Sequence, residues 1–365
     1  MRLAPLWRRG LRRLPYGRCV RATVIHAARD IRSETLPDPA VQAPHEALVR
    51  VLAACVCGSD LWPYRGESPT DSPHGIGHEH VGVVEELGAD VTGLSVGDVV
   101  VAPFTWSCGE CVHCRAGVHT SCVVGGVFGG EHGTQAELVL VPQAGGTLVA
   151  VPGFDADSPP EGDLLRDLLA CSDVMGTGWH AARSAGVREG ATVVVVGDGA
   201  VGLCGVLATA RMGAGRVIAM SRHADRQALA LTFGATDVVA ERGEDGEQAV
   251  LGLTDGVGAD AVLECVGTEQ SMSTAFAVAR PGATVGFVGV PHGAKPPMSR
   301  MFRHNVGMAG GIAPVRAYLP ELLRQVLDGA IHPGVVFDTE LPLAQVAEAY
   351  DLMDRREAIK VLLRP

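Results

Sequence analysis

The chain is poor in aromatic residues, which make up 4% of its 365 positions, and it holds only two lysines, Lys295 and Lys360. It has no apolar run long enough to span a bilayer, which excludes a membrane-spanning helix. No internal repeat and no low-complexity linker interrupts it, so neither a solenoid nor a tethered array is indicated. Positive charge is short as well: 30 Lys and Arg against 41 Asp and Glu leave a net charge of −11. That balance argues against nucleic acid as the main partner. The acidic residues are dispersed, which reads as solubility and not as an acidic tail.

What is present suits a two-domain enzyme. The length allows two domains of ordinary size, and 47% apolar residues can fill their cores. Forty-seven glycines predict many tight turns and close backbone approaches. Ten cysteines in a small secreted chain would suggest disulfides, but here four fall in one short stretch and the rest are scattered. A metal-binding protein of a reducing, cytoplasmic compartment fits better. Residues 1–19 hold Arg2, Arg8, Arg9, Arg12, Arg13 and Arg18 and no acid. A transit peptide has that composition. The reading preferred here is an over-extended start, because strand pattern begins only at Arg21 and Val20 stands where a GTG start codon would be read.

From about 21 to 152 the apolar runs are short and alternating, as in Leu48-Val-Arg-Val-Leu and Leu138-Val-Leu-Val, with Gly, Pro and Asp between them. That is an all-β pattern. From Asp163 it changes. A helix-like stretch over about 163–186 precedes Thr192-Val-Val-Val-Val, and strands at 217–220, 238–240, 261–264 and 284–288 follow, with helices near 200–212 and 224–233. Alternating strands and helices predict a parallel, doubly wound sheet. Helices near 318–328 and 343–353 and a short strand from Ile359 are expected to pack back on the first domain.

Three constellations carry chemistry. Cys108, Cys111 and Cys114, with Cys122 eight residues on, offer four thiolates to one ion. Zinc is the default for a four-sulfur tetrahedron, and a closed shell makes the site structural; the bland alternative is four free thiols in a loop. Cys57-Gly-Ser59-Asp60 and Gly77-His78-Glu79 offer a sulfur, an imidazole and a carboxylate, the ligand types of a catalytic zinc with one position open. Asp60 is expected to hold the free nitrogen of His78, and Ser59 to pass a proton outward. Each pair taken alone also fits ordinary structure. Gly197-Asp-Gly199-Ala-Val201-Gly202 follows a strand and opens an apolar helix, the context in which such glycines bind a dinucleotide pyrophosphate.

The next strand ends Met220-Ser221-Arg222-His223, without the acid that would bind a ribose 2′-hydroxyl. Ser221 and Arg222, helped by His223 or Arg226, suit a 2′-phosphate, so NADP(H) is expected over NAD(H). The alternative is a solvated Arg222 and poor selectivity.

Taken in this order, Cys57-Gly-Ser-Asp, Gly77-His-Glu, the four-cysteine lobe, the glycine motif and Glu264-Cys-Val-Gly267 resemble the zinc-dependent medium-chain alcohol dehydrogenase family across nearly all of residues 21–365. The resemblance implies a GroES-like β-rich catalytic domain over 20–174 and 316–365 and a Rossmann domain over 175–315. It implies two zinc ions per chain. It supplies a further ligand to the catalytic ion, Asp173, which lies five residues before Gly178 as in the bacterial NADP-linked secondary alcohol dehydrogenases; Cys171 is out of register, and a helix-capping role for Asp173 is the alternative. Glu79 is implied as a direct or occasional ligand. Thr177 and Val201 are expected to face the nicotinamide, Val266, Gly267, Gly289, Val290 and Ile312 to line the cofactor path, and Lys360 to approach the cofactor phosphates. Where some relatives carry a relay histidine this chain has Trp62, and His80 has no assigned role.

The expected reaction binds an alcohol oxygen at zinc, gives its proton to Ser59 and moves the carbinol hydride to the nicotinamide. Alternatives are a polyol- or threonine-type dehydrogenase of the same family, a zinc-free quinone or enone reductase, and a non-catalytic NADP sensor. Trp62, Phe104, Trp106 and Met301 are candidate pocket residues that equally suit a core. A cytoplasmic homodimer or homotetramer is expected.

Overall fold

A computed structural model of the chain describes residues 19–68 and 72–365. The arginine-rich extension, apart from Cys19, lies outside the described residues. The chain forms two compact units. The first runs to Ser172 and resumes at Phe337–Pro365; the second is Asp173–Val336.

The first unit is β-rich. Its larger sheet runs in the order Val149–Asp155, Asp98–Ala102, His80–Leu87, Ala47–Cys55, Val361–Arg364, Thr339–Pro342, with Leu138–Val141 also paired to Ala47–Cys55. Alternate residues of Ala47–Cys55 turn inward, so Val49 and Val51 join Val84, Val100, Val139 and Val141 in one core. A hairpin of Cys19–Ala27 and Asp30–Pro37 covers a second core in which Ile25 and Ile31 meet Leu61, Tyr64, Tyr350, Val361 and Leu363. The C-terminal strand pairs antiparallel with Ala47–Cys55, Leu362 opposite Cys55. That pairing brings residue 360 beside residues 56 and 79, far apart in sequence.

The second unit is a six-stranded sheet in the order Asp237–Val239, Arg216–Met220, Thr192–Val196, Ala259–Glu264, Ala279–Phe287, Gly307–Gly310. Every pairing is parallel. Numbered within the unit, the strands run 3-2-1-4-5-6, the doubly wound order in which ligands bind outside the carboxyl ends of the first and fourth strands. Val193, Val194 and Val195 are all buried, as a strand covered on both faces requires.

Two expectations change. The stretch 163–186 is not one helix: Gly162–Ala170 and Val174–Ser184 are separated at Cys171–Asp173, where Asp173 takes φ −146 and ψ −75 as the N-cap of the second helix. The helix Val315–Leu327 belongs to the second unit and not to the first, because it packs on Val174–Ser184: a Cβ on Gly176 would strike the Val315 side chain, and His180 Nδ1 lies 2.8 Å from the Tyr318 hydroxyl. No helix among the described residues is long and apolar enough to cross a membrane.

Candidate metal centres and dinucleotide site

The four-cysteine lobe follows the strand Thr105–Trp106. A short helix, Val112–Arg115, and a 3-10 turn, His119–Ser121, fold the chain back on itself. The sulfurs of Cys108, Cys111, Cys114 and Cys122 all lie within 4.8 Å of one another. The backbone N–H of Cys108 donates to Cys122 Sγ at 3.3 Å, and that of Cys111 to Cys108 Sγ at 3.4 Å. Backbone N–H groups of Cys114 and Val123 draw the Cys111 thiol down to about 6, whereas burial pushes Cys114 up to about 12. The lobe has little apolar packing of its own: Val112, Val118, Val123, Val124 and Val127 are exposed. Four soft donors at these distances fit one tetrahedral ion, and the ion would supply the cohesion that the valines do not.

The second cluster is buried. Cys57 stands just past the strand Ala47–Cys55 and caps the turn Gly58–Asp60. Its backbone N–H donates to Asp60 Oδ2 at 2.9 Å, while Asp60 Oδ1 lies 3.4 Å from His78 Nδ1. One carboxylate thus orients both segments. Gln135 Nε2 donates to the Cys55 carbonyl at 3.1 Å and reaches Asp60 Oδ2 at 3.4 Å and the Tyr350 hydroxyl at 3.1 Å, which braces the same turn. Asp173 is one peptide bond past Ser172, whose carbonyl accepts from Phe104 N–H at 3.1 Å. The ligand atoms of Cys57, His78, Glu79 and Asp173 lie within 4.8 Å of one another. Sulfur, imidazole and carboxylate donors at this spacing fit a zinc ion. Asp173 Oδ1 also accepts from the Thr177 hydroxyl at 2.6 Å. Ser59 is exposed, on the turn between Cys57 and Asp60.

Lys360 departs from its expected place. It is 1% exposed, and its Nζ donates to Glu79 Oε1 at 2.7 Å and to the Val56 carbonyl at 3.3 Å. Two of the ammonium's donors are thus engaged on a carboxylate and a backbone carbonyl within the β-rich unit. Burial opposes its charge, but Cys55 and Glu79 beside it hold its pKa above the usual lysine range. His80 is fully buried, edge-on to Phe128 with ring centroids 5.5 Å apart, and burial pushes it down to about 3. Neither of its ring nitrogens has a hydrogen-bond partner among the described residues.

In the second unit the glycine motif joins the strand Thr192–Val196 to the helix Ala200–Arg211. Gly197 has φ +120, a left-handed region that favours glycine, and a Cβ on Gly202 would run into the Gly197 carbonyl. A Cβ on Gly199 meets nothing within 4 Å, and no side chain caps the helix. Free N–H groups above an open glycine fit a pyrophosphate. Val201 is half-buried, and Thr177 is buried on Val174–Ser184. Val266, Val290 and Ile312 are exposed although apolar, near the carboxyl ends of the fourth, fifth and sixth strands. Gly267 and Gly289 let two of these chain segments touch, since a Cβ on either would strike the other segment's backbone. Glu264 fixes the first of them by accepting from Val266 N–H at 3.0 Å and Gly267 N–H at 2.8 Å.

At the strand tip Ser221 and Arg226 are buried, while Arg222 is exposed with its Nε 3.4 Å from His223 Nε2. Sequence reasoning missed Asp198. Its Oδ2 accepts from the Ser221 hydroxyl at 2.9 Å, and its Oδ1 lies 3.6 Å from Arg226 Nη1. The signal was an acid at the second position of the glycine motif.

An open helix N-terminus at the reversal point of a parallel sheet, in a chain that also gathers Cys, His and carboxylate donors in a β-rich unit, defines a metal-dependent dinucleotide oxidoreductase. Comparison with known proteins narrows this. Residues 43–153 match the family described as alcohol dehydrogenase GroES-like domain, and residues 200–328 match the family described as zinc-binding dehydrogenase. A probable zinc-binding alcohol dehydrogenase of Mycobacterium tuberculosis is 37% identical, over 95% of this chain and 89% of its own. The solved alcohol dehydrogenase of Thermus sp. ATN1 superposes with a TM-score of 0.86 at 32% identity, covering 94% of this chain and 99% of that one. A zinc-binding dehydrogenase of Sinorhizobium meliloti solved with NADP has a TM-score of 0.80 at 25% identity, covering 95% of this chain and 100% of that one. The chain belongs to the zinc-dependent medium-chain alcohol dehydrogenases.

Proposed function

We propose that this alcohol dehydrogenase transfers a hydride between NADP(H) and an alcohol/aldehyde or ketone substrate, with one catalytic and one structural zinc in each chain. The observation that carries the reading is the convergence of Cys57, His78, Glu79 and Asp173 within 4.8 Å. Cys57, His78 and Asp173 would hold the catalytic ion, with Glu79 drawn away by Lys360 or joining in. When bound, zinc would polarise the substrate oxygen and the nicotinamide would exchange the hydride. Asp60 fixes the orientation of His78 and the Cys57 backbone. The Ser59 hydroxyl takes the substrate proton and passes it to water. Thr177 and Val201 face the nicotinamide, Val266, Gly267, Gly289, Val290 and Ile312 line the cofactor path, and Gly197, Gly199 and Gly202 hold the pyrophosphate. Cys108, Cys111, Cys114 and Cys122 hold the structural ion.

The NADP(H) preference is supported by the missing acid at the tip of Arg216–Met220 and by Ser221, Arg222 and Arg226 around it. A neighbour solved with NADP agrees with it. Cys57, Ser59, Asp60, His78 and Glu79 belong to the first unit, and Asp173 is the first residue of the second. A cytoplasmic homodimer or homotetramer is the assembly expected. A panel of primary, secondary and aromatic alcohols and aldehydes with each dinucleotide tests the reading. Turnover with NADP(H) that is lost in Cys57→Ser supports it, and turnover that survives the substitution defeats it.

A further inference from the structure

Asp198 takes no part in the proposed hydride transfer. It sits between the first two glycines of the pyrophosphate loop, yet its carboxylate reaches across to the tip of the neighbouring strand. There it accepts the Ser221 hydroxyl proton at 2.9 Å and approaches Arg226 Nη1 at 3.6 Å. Arg226 Nη1 also donates to the Asp198 backbone carbonyl at 3.3 Å. The strand tip itself carries no acid. So the position where doubly wound enzymes select the ribose 2′ group has a carboxylate after all, delivered from the loop.

We propose that Asp198 sets how strongly this site distinguishes a 2′-phosphate from a 2′-hydroxyl, holding down the NADP(H) preference and sustaining binding of NAD(H). The inference rests on the proposed dinucleotide site. A 2′-phosphate needs the Ser221 hydroxyl and the Arg226 guanidinium, and both already serve Asp198. It also brings up to two negative charges toward a third, in a place where Ser221 and Arg226 are buried and screening is weak. A 2′-hydroxyl meets no such opposition. It donates to the carboxylate as it does to the usual strand-tip acid, with no like charge to overcome. Asp198 therefore acts on the two cofactors with opposite sign.

The test is calorimetric titration of the full-length protein with NADPH and with NADH. Wild type is compared with Asp198→Asn, which keeps the acceptor oxygen and removes the charge, and with Asp198→Ser should the amide variant not fold. The ratio of the NADH to the NADPH dissociation constant is expected to rise about tenfold or more in the variant, NADPH tightening while NADH weakens or holds. A ratio unchanged within about twofold in a folded variant, or one that moves toward NADH, overturns the proposal. The wild-type ratio is read separately. A wild type that prefers NADH defeats the NADP(H) preference and leaves the shift in the variant as the measure of Asp198. A wild type that binds neither dinucleotide overturns both.

Discussion

The four-thiol lobe and the buried mixed cluster bring together similar donors in opposite ways. The lobe draws its four sulfurs from fifteen consecutive residues, Cys108–Cys122, and holds its valines outward. The mixed cluster draws Cys57, His78, Glu79 and Asp173 from a span more than a hundred residues long, and every one of them is buried. Short-range hydrogen bonds to sulfur shape the first. The second is held by partners remote in sequence, Gln135, Tyr350 and Lys360. A site made locally stabilises its own segment. A site made by the fold is stabilised by the fold, and an ion bound there would be free to serve chemistry.

Substitutions put this contrast to the test. The largest expected effect is at Lys360, 281 residues from the carboxylate it holds. Lys360→Met takes that cation from a fully buried Glu79, and chemical denaturation should record a loss of about 3–5 kcal/mol. Lys360→Met combined with Glu79→Gln should recover part of it, and full additivity would deny that the two residues act as a pair. Next, Cys111→Ser should open the lobe alone, at a cost of about 2–4 kcal/mol. Limited proteolysis should then cut within residues 108–127 while NADPH binding persists. Cutting spread over the whole chain would show that the lobe is not an independent unit. The smallest effect is expected at His80, whose two buried ring nitrogens find no partner among the described residues. His80→Leu should stabilise the protein by about 1 kcal/mol, read as a higher denaturation midpoint, and a lower midpoint would assign those nitrogens a structural role.

The same contrast explains what the sequence could reveal. The four cysteines and the glycine motif are legible because their geometry is set by spacing along the chain. The alternating apolar runs announce the β-rich unit, and the strand–helix alternation announces the parallel sheet. Asp173 came only from the family resemblance, since a continuous helical pattern over 163–186 conceals the break at Cys171–Asp173 that sets its backbone. The phosphate role of Lys360 came from the family resemblance; its pairing with Glu79 has no signal in the sequence, because the two meet only when Val361–Arg364 pairs with Ala47–Cys55. The strand Gly307–Gly310 has glycine at both ends and four residues in all, too little for a period to show. Nothing in the local pattern marks Asp198, because a side chain that crosses to the next strand leaves no periodicity.

On this reading the buried cluster is a metal centre distinct from the lobe. Elemental analysis of the purified chain counts it directly, by mass spectrometry of wild type beside Cys57→Ser and Cys111→Ser. Two zinc ions per wild-type chain, and one in each variant, are the result expected. One ion in wild type that stays in Cys57→Ser and leaves only in Cys111→Ser would contradict the account.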